Sequence, residues 1–511
     1  MLDKLNKTFQ KESVLNGFFF LFLGLILLNR FFLFFTVNTD CIDNDQVVMW
    51  AGAQDFSKGL FHVPRFYGQD YSTMMEALFA LPFVLLGLPV YFATPISTHL
   101  IFLFPFLFTA FYLFKLKRKE HAILVLAILL CMPVGYDIMN SIPRGFVTGL
   151  FFTSFFIINI INPKNLKFIL LNVFMSYVGY LVNPNSVLVS APFLVFLFLN
   201  NYTNKSFYIY SIIGFVLALP VDYGLNHFYK NHPEHVLYGF SNEFSLNYFK
   251  DAITHLDNRF AHISPFVEET SVVIIVLFFG LAVLFYKNNK SILICYSVLL
   301  VIILISMFSG KAADGAVWSF YSYSRLYLGL PIFLYLFLIF IDLKKSVSIL
   351  ILTTLIFTIY KEATFKEKVI YHADEKKWDH LNLISLKDLK DYLNTLKNFC
   401  KDNGGEAIII DHVWRDDFVN YAGPAIDTNY PTTFKPSFER RTWRIQEEKN
   451  TTYKTFMLYM ADYHFDETIK KINPNINIQK LNDYGLFLIK DNNLTTHQFL
   501  ASINYSIQVG N

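Results

Sequence analysis

Long apolar runs separated by short polar stretches dominate the chain up to about residue 360. Runs such as Val14–Val37 and Val272–Tyr286 are close to the roughly 20 residues that a helix needs to cross a bilayer. The apolar segments fall near residues 14–37, 74–92, 95–114, 121–136, 145–161, 166–182, 187–199, 206–221, 271–286, 291–308, 326–341 and 346–360. This pattern predicts a polytopic α-helical membrane protein.

The distribution of Lys and Arg among the short loops predicts which segments cross, because cytoplasmic loops are enriched in both residues. The alternation is unbroken if segment 74–92, which contains Pro82, Gly87 and Pro89, forms a juxtamembrane or re-entrant helix and does not cross. The cytoplasmic side then carries the basic residues Lys4, Lys7, Lys11, Lys115, Lys117, Arg118, Lys119, Lys164, Lys167, Lys205, Lys287, Lys290, Lys344 and Lys345. The outer side carries loops 38–73, 137–144, 222–270 and 309–325 and the C-terminal tail. We therefore predict about eleven transmembrane helices in the cytoplasmic membrane, with the N-terminus inside and the C-terminus outside.

The pattern changes near residue 361, where Lys, Asp, Glu and Asn become more frequent. Leu386–Cys400 has helical spacing, "GGEAIIIDH" predicts a turn into a buried strand, and "YGLFLIKDNN" predicts a strand that ends in a turn. The sequence thus predicts a transmembrane domain over residues 1–360 and a small extracytoplasmic α/β domain over residues 361–511.

The composition agrees with a membrane protein and excludes several other classes. Of 511 residues, 54% are hydrophobic and 16% are charged, whereas soluble proteins carry about a quarter charged residues. The net charge of +3 is too small to indicate a nucleic-acid partner. Cys41, Cys131, Cys295 and Cys400 show no paired spacing, so neither a disulfide framework nor a thiolate metal site is predicted. Val14–Val37 is longer than the apolar part of a signal peptide and is interpreted as a retained first helix.

Carboxylates, cations and aromatic residues gather in the predicted outer loops. These residues include Asp40, Asp43, Asp45, Asp137, Arg144, His227, His232, Glu234, His235, His255, Arg259, His262, Lys311, Asp314, Trp318, Tyr321, Tyr323 and Arg325. An Arg can fork onto a phosphate, a carboxylate can take a proton from a hydroxyl, and an aromatic ring can stack on a sugar. Together they suit an anionic lipid-linked substrate.

Each of these groups also has a structural interpretation. Acidic residues outside a membrane are often simply solvated, and Asp43-Asn44-Asp45 resembles only the start of a calcium loop, without its Gly and closing Glu. The spacing His-x4-His-x2-His from His227 to His235 fits a metal site or a loose loop. Arg325 fits a phosphate ligand or an interfacial anchor. Arg30, in the first apolar run, fits a paired or snorkelling cation or a functional one.

The order of these pieces resembles the GT-C superfamily of membrane glycosyltransferases, and more narrowly the bacterial protein-mannosyltransferase and aminoarabinose-transferase-like branch. Many members of this branch open the first outer loop with Asp-Glu, continue through a helix to a Gly and reach a "YGQxY" segment followed by Glu-Ala and an apolar run. Here Asp45-Gln46 stands at the Asp-Glu position, Lys58-Gly59 ends the helix, and Tyr67-Gly68-Gln69-Asp70-Tyr71 precedes Glu76-Ala77. Gln46 replaces the usual acid, and Asp43 is a carboxylate that could substitute for it.

Further along the chain, "NPNSVLVSAP" also resembles a family element, and Arg325 stands where an Arg or Lys often precedes a late span. The resemblance covers most of residues 10–345 by architecture but only a few dozen residues by motif. It implies a GT-C-like fold in which the first outer loop, residues 38–73, is catalytic.

The resemblance implies an inverting glycosyltransferase that acts at the outer face of the membrane. The donor would be a sugar on a polyprenyl phosphate, and the acceptor would be a lipid, a glycan or a protein of the envelope. Asp45 would be the base, with Asp43 as its substitute. The cations for the donor phosphate would be Arg325 first, then Arg144 and Lys311, while Tyr67, Gln69 and Tyr71 would shape the pocket wall. No cofactor is required, although a divalent metal is compatible with the chemistry.

Two other functions remain open from the sequence. A transporter or flippase of lipid-linked saccharide would use the same cations without a base, but no internal inverted repeat of the kind common in transporters is visible. A ligase or polymerase that moves an assembled glycan between lipids would need a larger outer loop, and loop 222–270 is long enough to serve.

Overall fold

The computed structural model describes residue 9 and residues 11–69, 72–235, 243–260, 263, 272–288, 290–310, 325–374, 383–413, 415–460, 476–481, 485–505 and 507. Helices predominate in the first 374 residues. In chain order they are α1 (Glu12–Asp40), α2 (Asn44–Ser57), α3 (Met75–Leu85), α4 (Val90–Lys115), α5 (Lys119–Leu130), α6 (Val134–Met139), α7 (Thr148–Phe151), α8 (Phe156–Ile161), α9 (Leu166–Val182), α10 (Val187–Asn201), α11 (Lys205–Asn231), α12 (Leu246–Thr254), α13 (Leu256–Phe260), α14 (Val272–Asn288), α15 (Lys290–Ser306), α16 (Leu330–Leu338) and α17 (Val347–Asp374). A 3-10 turn, Pro184–Ser186, precedes α10.

Helices and strands alternate in the C-terminal part. They are α18 (Leu386–Asp402), β1 (Ala407–Asp411), a π-helical turn (Phe418–Ala422), α19 (Gly423–Ile426), β2 (Thr432–Phe434), α20 (Thr442–Asn450), β3 (Phe456–Met460), β4 (Asn477–Lys480), β5 (Leu486–Lys490) and α21 (Thr496–Ser502).

Five helical segments of the described chain are long and apolar enough to cross a bilayer. They are Glu12–Asp40, Val90–Lys115, Pro184–Asn201, Lys205–Asn231 and Val347–Glu367. Their number and composition indicate a membrane protein, as the sequence predicted. The predicted count of eleven crossings is not confirmed by this set.

Several other apolar helices are shorter than a bilayer-spanning helix. Helix α3 has 11 residues, which is about 16 Å at 1.5 Å per residue, or roughly half of the hydrocarbon core. Its length agrees with a segment that does not cross alone. Helix α9 has the bounds 166–182 expected from the apolar pattern. The expected segment 145–161, by contrast, contains two short helices, α7 and α8.

The chain divides into two compact units, each built from several stretches of sequence. The first unit contains Met1–Asn38, Thr98–Tyr223 and Phe240–His380. The second unit contains Thr39–Ser97, Gly224–Gly239 and Leu381–Asn511. The segment that carries Asp43 and Asp45 therefore belongs to the same unit as most of the C-terminal part.

A buried charge cluster connects three helical elements of the first unit. Arg30 of α1 donates from Nη2 to Oδ1 of Asp137 over 3.1 Å, and Lys361 of α17 donates from Nζ to Oδ2 of the same carboxylate over 2.9 Å. The side chains are only 6%, 1% and 8% exposed for Arg30, Asp137 and Lys361. Burial of charge is tolerated when the charges are paired. The structure thus confirms Arg30 as a paired cation.

A five-stranded sheet organises the C-terminal part of the second unit. Its strand order is β2-β1-β3-β5-β4, with β1 parallel to β2 and β3. Strand β5 runs antiparallel to β3 and β4. All five residues of β1 are buried, which confirms the buried strand predicted from "GGEAIIIDH". Helix α18 and strand β5 likewise confirm the helix and the second strand predicted there.

The first-loop segment of the second unit is also folded as the sequence predicts. Helix α2 ends at Ser57, and Gly59 follows with φ of +75°, a left-handed conformation that glycine adopts without a steric penalty. The buried side chains of α2, among them Trp50 and Val47, belong to the same apolar core as Leu389 of α18. The segment is therefore an integral part of this unit.

Candidate functional site

Asp43, one of the two candidate bases, has a structural role at the start of α2. Its carboxylate caps the helix by accepting a hydrogen bond from the backbone N of Gln46 over 3.0 Å, and the residue is 1% exposed. Gln46 is fully buried and donates from Nε2 to the carbonyl oxygen of Cys41 over 2.8 Å. Capping and core contacts account for both residues. Gln46 thus supports the local fold.

Asp45 differs from both neighbours because its side chain keeps access to solvent. It lies in the first turn of α2 and is 17% exposed. Its Oδ1 accepts a hydrogen bond from Nη1 of Arg440 over 2.6 Å. A helix N-terminus and a guanidinium group both favour a negative charge. The structure therefore places a cation directly beside the carboxylate that the sequence proposed as the base.

Arg440 is a site residue that the sequence did not predict. It lies 395 residues after Asp45, and no motif connects the two positions. Burial alone would lower the pKa of Arg440, but the carboxylates of Asp45 and Asp417 outweigh it and raise that pKa above its usual value. The guanidinium stays charged at every accessible pH. The pair combines a fixed cation with a partly exposed carboxylate.

The YGQDY turn supplies a core residue. The ring of Tyr67 is fully buried, and its hydroxyl donates to Oδ2 of Asp55 over 2.8 Å. Burial raises the pKa of Asp55, and the hydrogen bond from Tyr67 opposes this effect. Tyr67 thus packs in the core of this unit, and its predicted role in the pocket wall stays a prediction. Gln69 is partly exposed and donates its backbone N–H to Phe66, while Tyr71 lies outside the described residues.

Two predicted phosphate ligands come together in the first unit. The guanidinium carbons of Arg144 and Arg325 lie 5.2 Å and 5.1 Å from the centre of the Phe146 ring. Arg144 is buried at 6% exposure, whereas Arg325 and Phe146 are half-buried. Each cation gains from the π face of the ring, but two like charges near one ring repel each other. Two cations that the sequence proposed for the donor phosphate are therefore near the same ring. The third predicted cation, Lys311, lies outside the described residues.

Three side chains near the end of α11 could hold a metal ion. One ligand atom from each of His232, Glu234 and His235 lies within 4.8 Å of the others. Nδ1 of His235 is 2.6 Å from Oγ1 of Thr442, a contact that leaves Nε2 of His235 available as a ligand. Burial lowers the pKa of His235, which favours the neutral imidazole that metals bind. Two His and one carboxylate with an open position are a ligand set that Zn²⁺ accepts.

We expect the purified protein to bind Zn²⁺ at this cluster and the variant His235→Ala to lose one equivalent of bound metal. Competition with a chromophoric chelator near pH 7 measures the stoichiometry. His255→Ala is the control. His255 lies at the end of α12, where it pairs with Asp251 of the same helix, and it is not part of the cluster. An unchanged Zn²⁺ stoichiometry in His235→Ala, with His255→Ala also unchanged, would show that residues 232–235 form a loop without a metal.

Comparison of the chain with models of known protein families, with curated proteins and with solved structures found no match. Two clusters of charged side chains bear on its function: the Asp45–Arg440 pair of the second unit, and the arginines around Phe146 in the first unit.

Proposed function

We propose that the protein is an inverting glycosyltransferase that moves a sugar from a polyprenyl-phosphate donor to an envelope acceptor. The observation that supports this proposal most directly is the environment of the Asp45 side chain. It is partly exposed and paired with Arg440, while Asp43 and Gln46 beside it are buried in structural contacts. Of these three first-loop residues, Asp45 is the one suited to act as a base. A transporter of the same lipid has no need for such a group.

The proposed reaction needs a base for the acceptor hydroxyl and a cation for the donor phosphate. The Asp45 carboxylate takes the proton from the acceptor hydroxyl, and the oxygen attacks the anomeric carbon of the sugar with inversion. The bond between this carbon and the phosphate oxygen breaks, and its electron pair leaves with the lipid phosphate. A cation has to balance the charge that develops on this leaving group, and Arg325 and Arg144 are the candidates that the sequence offers for this task. Fixed cations aimed at a developing charge are usually the largest contribution to such catalysis.

The site lies at the outer face of the cytoplasmic membrane in this proposal, and about eleven segments cross the bilayer. Support comes from the alternation of basic loops and from the short helix α3. Reporter fusions after residue 118 and at the C-terminus are expected to give opposite signals, inside for the first and outside for the second. Identical signals from both fusions would contradict this topology.

A transfer assay with the purified protein tests the function. The protein in liposomes receives a polyprenyl-phosphate sugar and an envelope extract, and mass spectrometry follows the release of polyprenyl phosphate and the glycosylation of lipids, glycans and proteins. The expected result is donor consumption with a single sugar added to an acceptor. Movement of intact donor between leaflets without consumption would support the transporter. Addition of a preassembled glycan, with single sugars inert, would support the ligase or polymerase.

A further inference from the structure

Arg440 lies on a segment whose backbone is fixed by hydrogen bonds at Ser437 and at Arg440 itself. The backbone N of Ser437 donates to Asp411 over 2.8 Å, and the backbone N of Arg440 itself donates to the hydroxyl of Tyr421 over 3.0 Å. Asp411 is fully buried at the end of β1, and Tyr421 is fully buried in the π-helical turn. The position of Arg440 is therefore set by the core of the C-terminal sheet.

The residues on either side strengthen this anchoring. Glu439 is fully buried and accepts hydrogen bonds from Asn420 Nδ2 over 2.8 Å and from Arg441 Nε over 3.0 Å. Arg441 also donates from Nη2 to Oδ1 of Asn420 over 2.8 Å. Buried networks of charged hydrogen bonds hold side chains in one geometry. Arg440 thus presents its guanidinium from a rigid support.

The side chain of Arg440, which is itself largely buried, contacts the carboxylate of Asp45. The side chains of Arg440 and Asp45 are 15% and 17% exposed, so solvent screens their attraction only in part. Nε of Arg440 is buried and makes no hydrogen bond within the described part of the chain. The interaction with Asp45 through Nη1 is therefore the main polar contact that the structure gives this guanidinium.

We propose that Arg440 is a positioning residue for the transfer reaction, which keeps Asp45 ionised and oriented so that the carboxylate can take the proton of the acceptor. The inference rests on the proposed function and extends it to the C-terminal sheet, which thereby becomes part of the catalytic unit. The competing interpretation is that the ion pair only stabilises the fold of the second unit. The two interpretations differ in what happens to the pH dependence of the reaction.

The pH dependence follows from the sign of the charge. A nearby cation favours the ionised carboxylate, so its removal makes Asp45 protonate at higher pH. In Arg440→Gln, the acid limb of the profile of kcat against pH should move upward by about 1–2 pH units, since an adjacent Arg shifts a carboxylate by about 1–3 units. Arg440→Lys keeps the charge but loses the planar fork. Its acid limb should stay near that of the parent while kcat at the optimum falls about tenfold and KM for the donor is unchanged.

Arg444→Gln is the matched control. Arg444 makes an ion pair of similar length, 2.5 Å, with the buried Glu448 in the same unit, and its other described partners are Glu447 and the carbonyl oxygen of Thr433. Its loss should lower the melting temperature and leave the acid limb of the profile in place. A folded Arg440→Gln protein with the parental profile and kcat would overturn the proposal. If Arg440→Gln does not fold, the measurement of kcat in Arg440→Lys distinguishes the two interpretations. A parental kcat in that variant would overturn the proposal as well.

Carbodiimide labelling separates this inference from the proposed function. Carboxyl groups react with the carbodiimide and an added amine more readily when they are protonated, and mass spectrometry of the peptide that contains Asp45 measures the extent. In Arg440→Gln, labelling of Asp45 should persist about one pH unit higher than in the parent and in Arg444→Gln. If the parent transfers no sugar but labelling shifts, the proposed function fails, and the control of Arg440 over the charge of Asp45 still stands. If the parent transfers sugar and neither labelling nor profile shifts, only the role of Arg440 fails.

Discussion

Asp45→Asn is expected to abolish sugar transfer while the protein stays folded. The loss of general-base assistance costs about 10²- to 10⁴-fold in rate, and kcat should fall by this factor with little change in KM for the donor. The amide oxygen of Asn can still accept the hydrogen bond from Arg440, but the ion pair is lost, so the melting temperature should fall while the protein stays folded. The transfer assay with the polyprenyl-phosphate donor and a thermal unfolding curve measure both properties.

Asp43 provides the comparison for this experiment. Asn caps a helix about as well as Asp, so Asp43→Asn should be active and stable. Asp43→Ala removes the cap and should lower the free energy of unfolding by about 1 kcal/mol. An inactive Asp43→Asn beside an active Asp45→Asn would move the base by two residues. Parental turnover in both Asn variants would remove the base from the mechanism and favour the transporter.

Arg325→Ala is expected to weaken binding of the donor about 10- to 150-fold, because a hydrogen bond to a charged group contributes about 1.5–3 kcal/mol. Arg144→Ala should have an effect of the same order. Arg325→Lys should recover part of the loss, since an ammonium group supplies the charge without the bidentate fork. Titration of the purified protein with the polyprenyl-phosphate sugar gives the dissociation constants.

Lys115→Ala is the control for these variants, because Lys115 is an exposed cation at the C-terminal end of α4. Its affinity for the donor should equal that of the parent. Parental affinity in both Arg325→Ala and Arg144→Ala would leave these residues as partners of the Phe146 ring, with Arg325 serving as an interfacial anchor. The donor phosphate would then bind elsewhere.

The parts of the fold that the sequence predicted well are those set by local patterns. The bounds of α9, the end of α2 before Gly59 and the buried strand β1 all follow from periodicity or from a glycine at the end of a helix. Hydropathy alone located the boundaries of α11 less well. The predicted loop 222–270 begins inside this helix, which continues to Asn231, because polar residues prolong a helix without adding an apolar signal.

The parts that the sequence did not predict depend on contacts between distant residues. The Asp45–Arg440 pair joins positions 395 residues apart, and neither residue type is unusual where it stands. Lys119 shows the same limit in another way. The sequence counted it as a cytoplasmic loop residue, but it begins α5 with its Nζ 2.6 Å from Glu12. The charge of Lys119 can be counted from the sequence, whereas its pairing with Glu12 depends on how α1 and α5 pack.

The shared carboxylate of Asp137 has a consequence for the order in which the chain is assembled. Ribosomal synthesis produces Asp137 107 residues after Arg30 and 224 residues before Lys361. The pair with Arg30 can form while the rest of the polypeptide is still being made, and Oδ2 then remains as the acceptor for an ammonium group that arrives late. A lysine in an apolar helix is costly to insert. Pairing with Asp137 offsets this cost for Lys361 of α17 once the two side chains meet.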